Sequence, residues 1–230
     1  MFDGRFRTPI ERAVRPVGAS LAKAHLTPDH LTVAGLLLAV AAAVTVGSGA
    51  LRGGFLLVVL AALPDLLDGA LARAGGAASQ RGAFFDSVID RITDSLILGG
   101  IAWYLLGTEH PYNAMIPVAA LAVGGVISYE RAKAESLGLS AKGGLMERAE
   151  RIILVCFGLV FDSLLVITMW VLLVLSVVTA VQRFFKVWKQ AGVAPVTLER
   201  QMARRSRRAA RRSAWSHRRT ELQRRRRSTS

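Results

Sequence analysis

Four aspartates dominate the chemistry available to this 230-residue chain. Asp65 and Asp68 stand three residues apart and Asp86 and Asp90 four apart, and either spacing puts both carboxylates of a pair on one helix face. A Gly- and Ala-rich connection from Gly75 to Gly82 separates the pairs. Folded back there, two antiparallel helices bring all four acids together. In a membrane each such charge costs at least ~2.5–3.5 kcal/mol, and clustering adds repulsion. Divalent cations relieve both penalties, and an all-oxygen set of hard ligands suits Mg²⁺ or Mn²⁺ rather than zinc. The plainer alternative pairs Asp65 and Asp68 with Arg73, and Asp86 and Asp90 with Arg91. It leaves four acids facing two arginines.

The elements that must hold these acids are membrane helices. The chain is 52% hydrophobic, and its net charge of +14 resides in one segment. From Arg183 to Ser230 there are 16 basic and 2 acidic residues, so the preceding 182 residues are neutral. A soluble basic domain is therefore excluded. A lone cysteine, Cys156, excludes a disulfide scaffold, and His25, His30, His110 and His217 lack metal-ligand spacing.

Apolar runs occupy Leu31–Val46, Phe55–Ala74, Ala83–Leu106, Ala114–Tyr129 and Ile152–Val181. The last has 30 residues, and would make a rod of ~45 Å against a hydrocarbon core of about 30 Å. A break at Asp162-Ser163 makes two helices of it. The fold class expected is thus an all-α membrane protein with six transmembrane helices. With both termini cytoplasmic, the outer loops carry only Arg52 as a cation, as the positive-inside rule requires. Five spans would put the arginine tail outside.

Three segments follow. Residues 1–24 read as an amphipathic helix lying on the inner membrane surface, with Phe6, Ile10, Val14, Val17 and Leu21 on one side. Residues 25–188 form the six-helix catalytic body. Residues 189–230 are a basic tail with no period that could bury a core, read as disordered or loosely helical on anionic lipid. Only Trp215 in that tail could stack on a base, which argues against nucleic acid as its partner.

The string Asp65-x2-Asp68-Gly69-x2-Ala72-Arg73-x8-Gly82-x3-Asp86-x3-Asp90 resembles the signature of the CDP-alcohol phosphatidyltransferases. All eight signature positions match. The resemblance spans residues 20 to 188 and implies a multi-pass plasma-membrane enzyme, usually dimeric, with its active site on the cytoplasmic side. Its donor substrate would be CDP-diacylglycerol, attacked at the β-phosphorus by an alcohol hydroxyl with loss of CMP.

The resemblance further implies two metal ions, Mg²⁺ with Mn²⁺ as the alternative. Asp65, Asp68 and Asp86 match the main ligands, and Asp90 matches the general base at the edge of the metal site. Gly69, Arg73 and Ser79 match nucleotide contacts. Asp29 and Thr32, in the segment leading into the first helix, match the cytidine pocket, although many relatives carry Asn at the position of Asp29. As a plain helix cap, Asp29 would be explained equally well.

The acceptor must be read elsewhere. Arg131 and Lys133 end the fourth helix, Arg148 and Arg151 begin the fifth, and Arg183 ends the sixth. These segments are similar to those of the family branch that uses inositol phosphate, an acceptor with its own phosphate. Several cations suit a dianionic acceptor, whereas inner-surface anchoring would not call for the interleaved Glu147 and Glu150. Relatives often have Pro where Ala149 stands, and Lys then Arg in place of Arg131 then Lys133. Two alternatives stay open: synthesis of phosphatidylglycerol phosphate, and a non-catalytic scaffold or cation transporter. Asp94 extends the Asp86–Asp90 stripe by one turn, where it would support the site from behind or pair with an arginine of another helix, and it has no assignment.

Overall fold

A computed structural model describes residues 28–75, 80–141 and 143–192, with side chains described throughout except at 28 and 64–75. The amphipathic helix expected over residues 1–24, Ser79 and the tail beyond 192 lie outside the described residues. So do the side chains of Asp65, Asp68, Gly69 and Arg73, although helical backbone carries these four positions.

Every regular element among the described residues is helical. Helix α1 is Pro28–Gly47, α2 Leu51–Gly75 and α3 Gln80–Leu106. A 3₁₀ turn at Pro111–Ala114 leads into α4, Met115–Ser136. Helix α5 is Arg148–Val160, a second 3₁₀ turn covers Asp162–Leu164, and α6 runs Leu165–Ala191. The expected break thus falls where the sequence places it. Phe161 closes α5 by donating its N–H to Phe157 O at 3.1 Å, and Asp162 Oδ1 accepts from the Ser163 N–H at 2.9 Å.

Pro28 and Asp29 open α1, a proline and an acid where missing donors and the helix dipole favour them. Asp29 therefore sits inside the first turn, not at the cap. Gly49 (φ 92°) turns the chain from α1 into α2, and its N–H bonds Val46 O at 2.9 Å.

The chain separates into two compact units at Phe184–Phe185, and the core belongs to the first. There α1 packs against both α2 and α3, α3 against α4, and α2 against α5. Val46, Val58, Ile101, Leu159, Met169 and Leu172 are fully buried in one cluster. Close approach of α1 and α3 depends on Gly100, where a Cβ would lie 2.6 Å from Ala43 O. Glycine there lets two backbones meet, the usual device of helix contacts in lipid. Gly99 and Gly125, by contrast, face open space.

Large apolar side chains also cover the outside. Leu37, Val44, Leu56, Trp103, Ile153, Ile167 and Trp170 are all more than half exposed. Water would not tolerate such a continuous apolar surface, whereas lipid requires it. Three helical stretches are long and apolar enough to cross a membrane: Asp29–Gly47, Pro111–Ser136 and Asp162–Ala191. Helices α3 and α5 differ for reasons that bear on function. In α2 the stretch Leu51–Leu63 is apolar apart from Arg52, ahead of Asp65 and Asp68. In α3, Asp86, Asp90, Arg91 and Asp94 occupy the N-terminal half, and α5 has 13 residues and opens on Arg148, Glu150 and Arg151. The charges of α3 and the shortness of α5 set these two helices apart from the three apolar stretches.

Candidate active site

Asp86, Asp90 and Asp94 recur every four residues along α3. Arg148 and Arg151 sit one turn apart at the start of α5. The two stripes face each other. Arg148 Nη1 donates to Asp90 Oδ1, and Arg151 Nη2 donates to Asp94 Oδ2 at 2.6 Å. A longer contact, Arg148 Nε to Asp94 Oδ1 at 3.9 Å, ties the two rungs together. None of these four side chains is more than 17% exposed. Arg91 Nη2 also approaches Asp90, at 3.6 Å, while its Nη1 donates to Ser128 Oγ on α4.

The rungs border a cavity of about 520 Å³. Asp86 and Asp90 contribute to its α3 wall, and Arg131, Arg148, Arg151 and Arg183 to the walls from α4, α5 and α6. Of the nine positions expected to bind or react whose side chains are described, these six meet in one space. Lys133 does not line it and is exposed in the last turn of α4. Asp29 is exposed and Thr32 buried, three residues apart at the start of α1.

Arg183 does more than line a wall. It is 5% exposed, with Nε donating to Gly143 O at 3.0 Å and Nη1 to Ile127 O at 3.4 Å. Its Nη2 lies 3.6 Å from Glu147 Oε1, at the N-terminal cap position of α5. One guanidinium thereby binds the C-terminal half of α4, the α4–α5 loop and the start of α5. The loop is shaped to allow this. Gly143 and Gly144 have φ of 90° and 147°, and a Cβ on Gly144 would fall 2.6 Å from Thr179 Cγ2. Thr179 Oγ1 accepts from the Met146 N–H at 3.0 Å, fixing the same loop to α6.

Arg91, Ser128 and Glu147 also line the cavity, and sequence reasoning left them out as binding residues. Asp94, which it left unassigned, proves to be the partner of Arg151. Its regular spacing after Asp86 and Asp90 was the available signal.

The donor set fits a divalent cation. Asp86 and Asp90 offer hard oxygens from successive turns to one polar cavity. Among the described side chains no three of His, Cys, Asp and Glu group together as ligands, and Asp65 and Asp68 lie outside that set. The arginines opposite are suited to anionic groups by charge-assisted hydrogen bonds. The cavity therefore has cation-binding and anion-binding sides, the pattern needed to handle phosphate esters.

A sequence profile of the CDP-alcohol phosphatidyltransferases matches residues 25–182. The phosphatidylinositol phosphate synthase of Mycobacterium marinum is 35% identical over 196 residues, covering 81% of this chain and 84% of the relative. That of Mycolicibacterium smegmatis is 38% identical, covering 81% and 88%. Among solved structures, the Mycobacterium tuberculosis phosphatidylinositol phosphate synthase with CDP-DAG bound superimposes with a TM-score of 0.71 at 35% identity, over 77% of this chain and 94% of that one. The same enzyme in complex with manganese and citrate gives a TM-score of 0.71 at 37% identity, over 76% and 88%.

Proposed function

Because the chain belongs to the CDP-alcohol phosphatidyltransferase family, we propose that it transfers the phosphatidyl group of CDP-diacylglycerol to a hydroxyl of inositol phosphate, forming phosphatidylinositol phosphate and CMP. One observation carries this reading: a single cavity sets Asp86 and Asp90 against Arg131, Arg148, Arg151 and Arg183.

Charge accounts for the two sides. Five arginines and four carboxylates line the cavity, close to balance. Once Asp86 and Asp90 are engaged by cations, the arginines outnumber Glu135 and Glu147 and favour a dianionic acceptor. An acceptor without its own phosphate would leave that excess uncompensated.

Asp65, Asp68 and Asp86, with Asp90 at the edge, would hold two divalent ions. Bound there, Mg²⁺ or Mn²⁺ supplies neutralisation of the pyrophosphate and of the charge developing on the leaving CMP. The remaining work falls to side chains. Asp90 takes the proton from the attacking hydroxyl as general base. Arg131, Arg148 and Arg151 bind the acceptor phosphate, with Lys133 in support from the rim. Arg183 contributes to the same wall and fixes the α4–α5 loop. Asp29, Thr32, Gly69, Arg73 and Ser79 bind the nucleotide, with Gly69 leaving room beside the backbone. Six membrane crossings place this site at the cytoplasmic face of the plasma membrane, with the basic tail on anionic lipid. The working unit is a homodimer.

A panel of acceptors with purified protein, CDP-diacylglycerol and Mg²⁺ tests the proposal. CMP release is expected with inositol phosphate and not with free inositol or serine. Release with glycerol 3-phosphate alone would reassign the enzyme to phosphatidylglycerol phosphate synthesis.

A further inference from the structure

The Asp94–Arg151 pair occupies an unusual place. Beside the cavity, the two residues share a small cleft with Val58 of α2, Ile97 and Leu98 of α3, Ile152 and Val155 of α5, and Leu172 of α6. Apolar side chains would fill this junction at lower cost. A buried ion pair gains little net stability over a hydrophobic replacement, because both charges must leave water. What it supplies in return is a fixed direction for each charged group.

Arg151 is the member with something to aim. Its guanidinium reaches from the apolar junction to the wall of the polar cavity. Asp94 Oδ2 holds Nη2 at 2.6 Å from the α3 side. On the α4 side stands Gly124, where even a Cβ would lie 3.7 Å from Nη1, so no side chain of that residue crowds the other edge. Asp94 Oδ1 meanwhile faces Arg148 Nε at 3.9 Å. Of the two contacts, the one to Arg151 is the shorter and is within hydrogen-bond distance.

We infer that Asp94 is a positioning residue for acceptor recognition: it touches no substrate, and it fixes Arg151 so that the guanidinium meets the phosphate of the incoming alcohol. This rests on the reading of Arg151 as an acceptor contact made above. Binding of CDP-diacylglycerol does not depend on Asp94.

Steady-state kinetics of the full chain separates this role from plain support of the fold. Asp94→Asn is expected to raise KM for the phosphorylated acceptor about 10- to 100-fold, the loss of one well-directed charge-assisted hydrogen bond. KM for CDP-diacylglycerol should stay within about 2-fold. A purely structural pair would instead lower kcat through loss of active protein and leave both KM values in place, and that result would overturn the inference.

Leaving Arg151 buried without its partner can itself impair folding, so the pair is also removed together. In Asp94→Asn/Arg151→Gln the acceptor KM should stay within about 2-fold of that of Arg151→Gln alone, because Asp94 acts chiefly through that arginine. A double variant markedly worse than Arg151→Gln would contradict the assignment. Calorimetric affinity for inositol phosphate reads the same comparisons without turnover. Wild-type CMP release, measured first, reports on the proposed reaction; the variants report on Asp94.

Discussion

Replacing Asp90 with Asn is expected to reduce CMP release by about 10²- to 10⁴-fold, the range over which a positioned general base contributes. The amide keeps the size of the carboxylate and cannot take a proton from the acceptor hydroxyl. Asp90 suits the role by position: it lines the cavity beside Asp86, and its carboxylate is held by Arg148 and approached by Arg91. Binding of divalent metal should be largely kept, because Asp65, Asp68 and Asp86 remain. The substitution also turns a buried ion pair into a neutral contact, leaving Arg148 with less compensation. Thermal unfolding in detergent is therefore measured alongside turnover, and the rate is expressed per folded protein. Turnover equal to wild type would remove Asp90 from the mechanism as base.

The second large effect is expected on removing metal. Dialysis against EDTA should lower CMP release by about 10³-fold or more, since charge neutralisation by bound cations contributes several kcal/mol to such transfers. Mn²⁺ or Mg²⁺ should restore it. In the proposed site four aspartates on two apolar helices would repel one another, and bound cations relieve that repulsion. Arg148 is paired with Asp90 and Arg151 with Asp94. Activity surviving complete chelation would mean that the carboxylates serve another purpose.

Much of this was legible before any coordinates. The break at Asp162-Ser163 followed from a length that no single crossing could use, and the six helices followed from it. Arg131, Arg148, Arg151 and Arg183 were grouped by charge at the inner ends of their helices, and the cavity does bring them together. Lys133 shows where such grouping overreached. It lies two residues beyond Arg131, and two residues turn a helix by about 200°, so the two side chains leave α4 in different directions.

Other features depend on distant parts of the chain. Asp94 and Arg151 are 57 residues apart, and nothing local marks them as partners. Arg183 meets the carbonyls of Gly143 and Ile127, and backbone acceptors carry no signature in side-chain identity. The contact exists because glycines at 143 and 144 permit a left-handed loop that turns a carbonyl toward α6. Spacing along a helix could be read, whereas pairing between helices required the packing itself.

The claim on which the account rests is that α2 and α3 contribute carboxylates to one shared metal site. Mn²⁺ affinity, measured by titration for wild type, Asp68→Asn, Asp86→Asn and the double variant, tests it most directly. Each single change should weaken binding markedly, and the double variant should lose less than the sum of the two free energies, as expected of ligands to common ions. Strictly additive losses, or single variants that bind Mn²⁺ as tightly as wild type, would show that the two helices do not hold the metal together.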